Sequence, residues 1–152
     1  MLLSCRRAPE RFGFGRPAAA HEIDSMAIAI RPDGRGLPRG SGDAVTGQVI
    51  YAAKCAACHG VTGREGSSPR LVGDTGKTIG NYWPYATTVF DYIRRAMPLN
   101  APGSLSNDEV YSLTAYLLSA NRVITEKTML DSARLAAVRM PARNLFVNDR
   151  GR

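Results

Sequence analysis

The chain has 152 residues and a formal net charge of +7, a length that fits one hydrophobic core with arms on either side. It holds no run of about 18 apolar residues, so no segment is expected to cross a bilayer as a helix. The excess charge lies at the two ends, +3 over residues 1–40 and +4 over 127–152, in arginines scattered among Pro and Gly without the dense basic runs that bind phosphate, which argues against nucleic acid.

In chain order, the opening MLLSCRRAPE lacks the apolar stretch of an export signal, and its positive charges follow the apolar residues instead of preceding them. LLSC resembles the end of a lipoprotein signal with Cys5 as the acylated residue, yet nothing before it can enter a membrane. Residues 1–11 are therefore expected to lie outside the mature chain, or translation to begin further upstream. Residues 11–42 concentrate turn formers, as in RPDGRGLPRGSG, and read as an irregular arm in which SMAIAI, residues 25–30, makes a short strand. Ser41 or Asp43 caps a helix through AVTGQVIYAAKCAACH, residues 44–59, where Val45, Val49 and Ala52 form one helical series and Gly47, Tyr51 and Cys55 another. Residues 60–81, rich in Gly, Ser, Thr and Pro, form a loop long enough to wrap a cofactor. ATTVFDYIRRA places Val89, Tyr92, Ile93 and Ala96 on one face of a short helix ended by Pro98, with Met97 at the break. Ser106 and Glu109 make a capping box for NDEVYSLTAYLLSAN, whose Val110, Leu113, Ala115, Tyr116 and Leu117 form a broad apolar face. Beyond Asn121 the pattern decays into a basic extension. The chain thus divides into an irregular N-terminal arm over 1–41, one domain over 42–122 and a C-terminal extension over 123–152.

The three cysteines are an odd set that implies no disulfide framework. Cys55, Cys58 and His59 form a C-x-x-C-H motif. Two thiols one helical turn apart can each add to a vinyl group on neighbouring pyrroles, which sets the next residue, His59, under a haem iron as proximal ligand. That use takes all three residues. Structural zinc needs further ligands, and only Cys5 and His21 remain, far upstream in the arm. A disulfide oxidoreductase needs its C-x-x-C at a helix start within a βαβ unit, and no alternation of strand and helix is present. One covalent haem c, held through Cys55 and Cys58, is the expected cofactor. Thioether formation needs reduced thiols outside the cytoplasm, so the periplasm is the expected compartment.

GQVIYAAKCAACHG, SSPRLVG and the RRAMP ahead of the last helix together resemble a small class I type cytochrome c. The resemblance covers the domain over 42–122 and implies an all-α fold whose N- and C-terminal helices cross around the haem, with irregular arms outside it. It implies that Gly47, Tyr51 and Tyr116 stand at the crossing, that the Pro69 carbonyl accepts a hydrogen bond from His59, that Leu71 packs on the porphyrin and that Gly73 closes the motif. Met97 and Met140 both precede a proline, and His21 is a further candidate for the distal position. The family places its sulfur before the last helix, which selects Met97; the alternative is a core methionine that ends a helix. Tyr82, Trp83 and Tyr85 are expected around the haem edge, or else as filler in a small core.

With both axial positions filled by side chains, no site is left for a substrate at the iron, so the expected role is one-electron transfer and not catalysis. A longer resemblance runs from Phe12 onward through FGFGRPAAAHEI, IRPDGRGLPRGSG and residues 76–118. These are similar to the cytochrome subunits of sulfite dehydrogenase and of the sulfane dehydrogenase of thiosulfate oxidation. The resemblance implies a molybdenum-containing sulfite-oxidising subunit as donor and a soluble cytochrome or terminal oxidase as acceptor. A single C-x-x-C-H favours the sulfite dehydrogenase type over the two-haem sulfane dehydrogenase subunit, which stays as the alternative beside a generic periplasmic electron carrier. A small haem peroxidase or gas sensor, with Met97 off the iron, and a metal-stabilised adaptor without haem are readings of other classes. The basic segments 31–42 and 127–152 are expected to lie on the partner subunit.

Overall fold

The computed structural model of the chain describes residues 13–146. In chain order its elements are α1 (Ala20–Met26), β1 (Ser41–Gly42), α2 (Ala44–Lys54), α3 (Ala56–His59), α4 (Ile79–Tyr82), α5 (Ala86–Ala96), α6 (Asn107–Ala120), β2 (Leu130–Asp131), α7 (Ser132–Ala137) and a 3-10 turn over Pro141–Leu145. The fold is helical, as expected. Among the described residues no helix is long and apolar enough to cross a membrane.

Both principal helices begin where side chains satisfy free backbone amides. The Asp43 carboxylate accepts from the Thr46 amide at 2.8 Å and starts α2. Ser106 and Glu109 exchange bonds in a capping box that starts α6. Glu109 also takes Lys54 Nζ at 2.6 Å, which ties the end of α2 to the start of α6 and, as the larger cause, holds the Glu109 carboxyl below its ordinary range. α6 is buried on most of its circumference, including Val110, Tyr111, Leu113, Ala115, Leu117 and Leu118. Its main contact is with α2. They meet at Gly47, where an added Cβ would lie 1.9 Å from the Ser112 carbonyl oxygen and 2.8 Å from Tyr116 Cβ. Beside this point the rings of Tyr51 and Tyr116 stand 5.1 Å apart.

The face that α2 turns inward is therefore the series with Gly47 and Tyr51, while Val45 and Val49 are 58% and 68% exposed. Both series have helical spacing. Close backbone approach, which only the glycine permits, decides between them over side-chain hydrophobicity. α5 buries Val89, Phe90 and Ile93, with Phe90 packed 4.5 Å from the Tyr111 ring. Tyr92 lies half outside, so the inward face is rotated from the expected one toward Phe90 and Asp91.

The arms depart most from expectation. SMAIAI forms no strand: Ser25 and Met26 end α1, which Glu22 supports by accepting from the Ala19 amide at 2.8 Å and pairing with Arg16. α1 buries none of its residues. The chain then reaches Ile30, which is buried and donates its amide to Asp91 at 3.2 Å; Asp91 also receives Arg95 Nε at 3.0 Å. Residues 31–42 are tied to their own helical body. Tyr111 Oη donates to the Pro38 carbonyl at 2.9 Å, Asn107 to the Arg39 carbonyl at 3.2 Å, and the Ser41 amide to Asp108 at 2.8 Å. β1 pairs antiparallel with β2, Ser41 opposite Asp131 and Gly42 opposite Leu130. The C-terminal segment likewise buries Leu130, Leu135, Met140 and Ala142. Over the described residues the two basic segments are clasped to each other and to their own helical body, and the core reaches from Ile30 to Met140, beyond the limits of 42–122.

Substituting Gly47→Ala drives a methyl group into the Ser112 carbonyl, and the expected loss of stability is about 3 kcal/mol, at the upper end for overpacking. Denaturant unfolding of the two forms measures it; equal midpoints would mean that the helices do not meet this closely.

Candidate functional site

The C-x-x-C-H motif lies at a break in the helix expected over 44–59. α2 ends at Lys54, Cys55 leaves helical geometry with φ −123°, and α3 restarts at Ala56 to deliver His59 at its last position. Cys55 is half-buried and Cys58 exposed. Burial pushes the Cys55 thiol up to about 11, against the opposing pull of Lys54. A redox-active C-x-x-C needs the reverse, a thiol lowered toward neutrality.

His59 Nδ1 lies 3.0 Å from the Pro69 carbonyl oxygen. A carbonyl can only accept, so Nδ1 carries the proton, and the neutral ring then presents a bare lone pair at Nε2. The loop that brings Pro69 there is built by backbone bonds. The Ser68 amide donates to Cys58 O at 2.9 Å, and the amides of Leu71 and Val72 share Gly63 O at 2.8 and 3.1 Å. Gly66 passes so close to the motif that an added Cβ would lie 2.1 Å from the Cys58 carbonyl oxygen. Tyr51, reaching from α2, donates its hydroxyl to the Gly60 carbonyl at 2.9 Å; its burial raises its pKa. Glu65 closes the turn after His59, accepting from the Thr62 hydroxyl and from the amides of Thr62 and Arg64 at 3.0 Å each. At the far end of the loop, Asn121 donates to the Leu71 carbonyl at 3.1 Å and accepts from the Gly73 amide at 3.3 Å, and the Thr78 hydroxyl donates to Gly73 O at 2.7 Å.

Met97 follows the last residue of α5 and is partly buried against the core, as is Leu71. Met140 is 4% exposed within the core contributed by the C-terminal segment, and His21 is exposed on α1. Trp83 packs edge-on to Tyr92 at 5.7 Å, Tyr82 lies against Phe146 and beneath Lys77, and Tyr85 lies beneath the Arg143 guanidinium. Two of the three aromatics expected near a cofactor thus also meet the C-terminal segment. Cys5 lies outside the described residues. Among the described residues no three His, Cys, Asp or Glu side chains converge on a metal-sized site. Glu65 and Asn121 escaped the sequence reading, although Thr62-x-x-Glu65 has capping-box spacing and Asn is a common helix terminator.

Fold and site together define a cytochrome c domain. Residues 42–117 match the family model described as cytochrome C oxidase, cbb3-type, subunit III, and the chain belongs to this cytochrome c family. It is similar to the thiosulfate dehydrogenase of Allochromatium vinosum, 28% identical over 120 residues, which cover 74% of this chain and 41% of that protein. The thiosulfate dehydrogenase of Stutzerimonas stutzeri is 33% identical over 91 residues, covering 56% and 30%. The chain therefore spans less than half the length of these curated relatives. Among solved structures, the sulfane dehydrogenase SoxCD from Paracoccus pantotrophus matches with a TM-score of 0.81 and 39% identity, covering 92% of this chain and 73% of that one.

Hydrogen bonds from Thr62, the largest cause, hold the Glu65 carboxyl at about 2, against an ordinary 4.5. A carboxyl lowered on folding stabilises the turn fully above about 4.5, and that support fades as pH falls toward 2. By NMR, the Thr62 amide is expected to shift with a midpoint near 2 and to lose this titration in Glu65→Gln. A midpoint near 4.5 would place Glu65 free in solvent.

Proposed function

We propose that the chain is an electron-transfer cytochrome subunit with one covalent haem c, serving a dehydrogenase that oxidises a sulfur compound. One observation carries this reading: the His59 ring, held through Nδ1 by the Pro69 carbonyl at 3.0 Å, follows directly on two unpaired cysteines in C-x-x-C spacing. The donor set fits the group. Cys55 and Cys58 would hold it covalently, and His59 Nε2 and the Met97 thioether would ligate its iron. Leu71, Tyr82 and Trp83 would surround it. A bound haem supplies a one-electron couple at its iron.

The remaining work belongs to the chain. The Pro69 carbonyl fixes the His59 tautomer and ring orientation and makes Nε2 a stronger donor. Met97, a neutral sulfur, would ligate the iron in place of exogenous ligands and would favour the reduced state more than a second imidazole. With His59 and Met97 both ligating the iron, the chain would pass electrons and would not transform a substrate.

The likeness to sulfane dehydrogenase over 92% of the chain supports a donor of that kind, a molybdenum-containing sulfur-oxidising subunit. A sulfite-oxidising subunit is the second reading, favoured by the single C-x-x-C-H. The acceptor in either case is a soluble cytochrome or terminal oxidase, and the compartment is the periplasm, where thioethers form.

Two outcomes are expected. Cyanide and carbon monoxide bind slowly or not at all to the wild-type haem near neutral pH and rapidly to Met97→Ala; rapid binding to the wild type would favour the peroxidase or sensor reading. Protein isolated natively from its host co-purifies with a larger molybdenum-containing chain and has its haem reduced on addition of sulfite or thiosulfate. Reduction by ascorbate but by neither sulfur compound would leave an electron carrier with a different donor.

A further inference from the structure

We propose that Asn121, which caps the C-terminus of α6, is a positioning residue for His59: it fixes the loop whose carbonyl orients the imidazole, and so links the end of the last helix to the reduction potential of the bound haem. The proposal rests on the haem reading above.

His59 Nδ1 is bonded to Pro69 O, a backbone atom on the loop. Proline has no N–H with which to anchor itself, so no bond of its own amide holds that carbonyl in place. Its position follows from the residues on either side. On the near side the Ser68 amide is bonded to Cys58 O, within the motif itself. On the far side, ties run from Leu71 and Val72 to Gly63, and from Leu71 and Gly73 to the short helix α4 through Ile79 N and Thr78 Oγ1. Among the described residues, the side-chain hydrogen bonds that reach the loop from the end of the long, buried helix come from Asn121.

The Asn121 amide group uses both of its functions there. Nδ2 donates to Leu71 O at 3.1 Å and to Leu117 O at 2.8 Å, and Oδ1 accepts from Gly73 N at 3.3 Å. The bond to Leu117 locks the side chain on its own helix, and the other two hold the loop at Leu71 and Gly73. A residue needed only as a helix cap would satisfy the Leu117 carbonyl and nothing more. Aspartate lacks the donors and alanine lacks both functions. These bonds are partly buried, where water competes poorly for them.

A firm Nδ1–H to carbonyl bond gives the ring partial imidazolate character, which stabilises ferric over ferrous iron. Releasing the loop weakens that bond, and the potential rises. Losing about 1 kcal/mol of hydrogen bonding corresponds to about fivefold faster opening of the Nδ1–H bond.

The test uses the full-length, haem-loaded protein. Asn121→Ala is expected to shift the midpoint potential upward and to speed exchange of the His59 Nδ1 proton, followed by NMR, about fivefold. Val110→Ala, a core truncation at the other end of α6, is expected to lower the thermal midpoint while leaving both readouts unchanged. If Asn121→Ala does not mature, Asn121→Ser, whose short hydroxyl can serve the helix but not the loop, is read in the same way. Wild-type readouts in the Asn121 variants, or equal changes in Val110→Ala, would overturn the proposal. Wild-type protein that matures without covalent haem would overturn the haem reading as well, and is recognised by its lack of a haem spectrum before any variant is compared.

Discussion

The approach of two backbones at Gly47 is the constraint on which the rest depends. Because no side chain separates α2 from α6 there, Tyr51 is carried against Tyr116 and its hydroxyl reaches Gly60, the residue after the motif histidine. The Lys54–Glu109 pair secures the same crossing one step closer to Cys55. α6 thereby becomes the frame of the site. Its start is tied to the helix that delivers the cysteines, and its end, through Asn121, to the loop that delivers the Pro69 carbonyl. A cytochrome needs this rigidity, since electron transfer is fastest when the two redox states differ little in structure.

The parts legible in the sequence were those set by local chemistry. The C-x-x-C-H spacing is dictated by covalent attachment, the Ser106–Glu109 box by free amides within one turn, and the end of α5 by Pro98. The His59–Pro69 bond came from family resemblance, and the geometry bears it out. What escaped depends on distant partners. The inward face of α2 could not be chosen from periodicity, because Val45–Val49 and Gly47–Tyr51 share a period and only the contact with Ser112 separates them. The SMAIAI alternation resembled a strand, but it has no neighbouring strand to pair with, and Glu22 supports a helix there instead. The arms read as irregular segments outside the domain because their anchors are single residues: Ile30 meets Asp91, 61 positions away, and Pro38 meets Tyr111, 73 positions away.

This clasp changes the electrostatic picture. The basic segments flanking a neutral body looked like handles for a partner, yet Leu37 packs partly buried against the chain's own core and Leu130, Leu135 and Met140 lie within it. α1, ahead of Ile30, buries none of its residues. The match to sulfane dehydrogenase over 92% of the chain agrees with a fold in which the arms are integral to the domain.

The central claim is that these residues build a one-electron carrier with its iron held by His59 and Met97. The most direct test is a potentiometric titration of the exported, full-length protein, with the haem spectrum recorded at each potential and the covalent haem counted per chain. The account predicts one haem per chain, a single one-electron transition, and a six-coordinate low-spin spectrum with sulfur ligation in both states. A second transition, or a high-spin spectrum in either state, would contradict it.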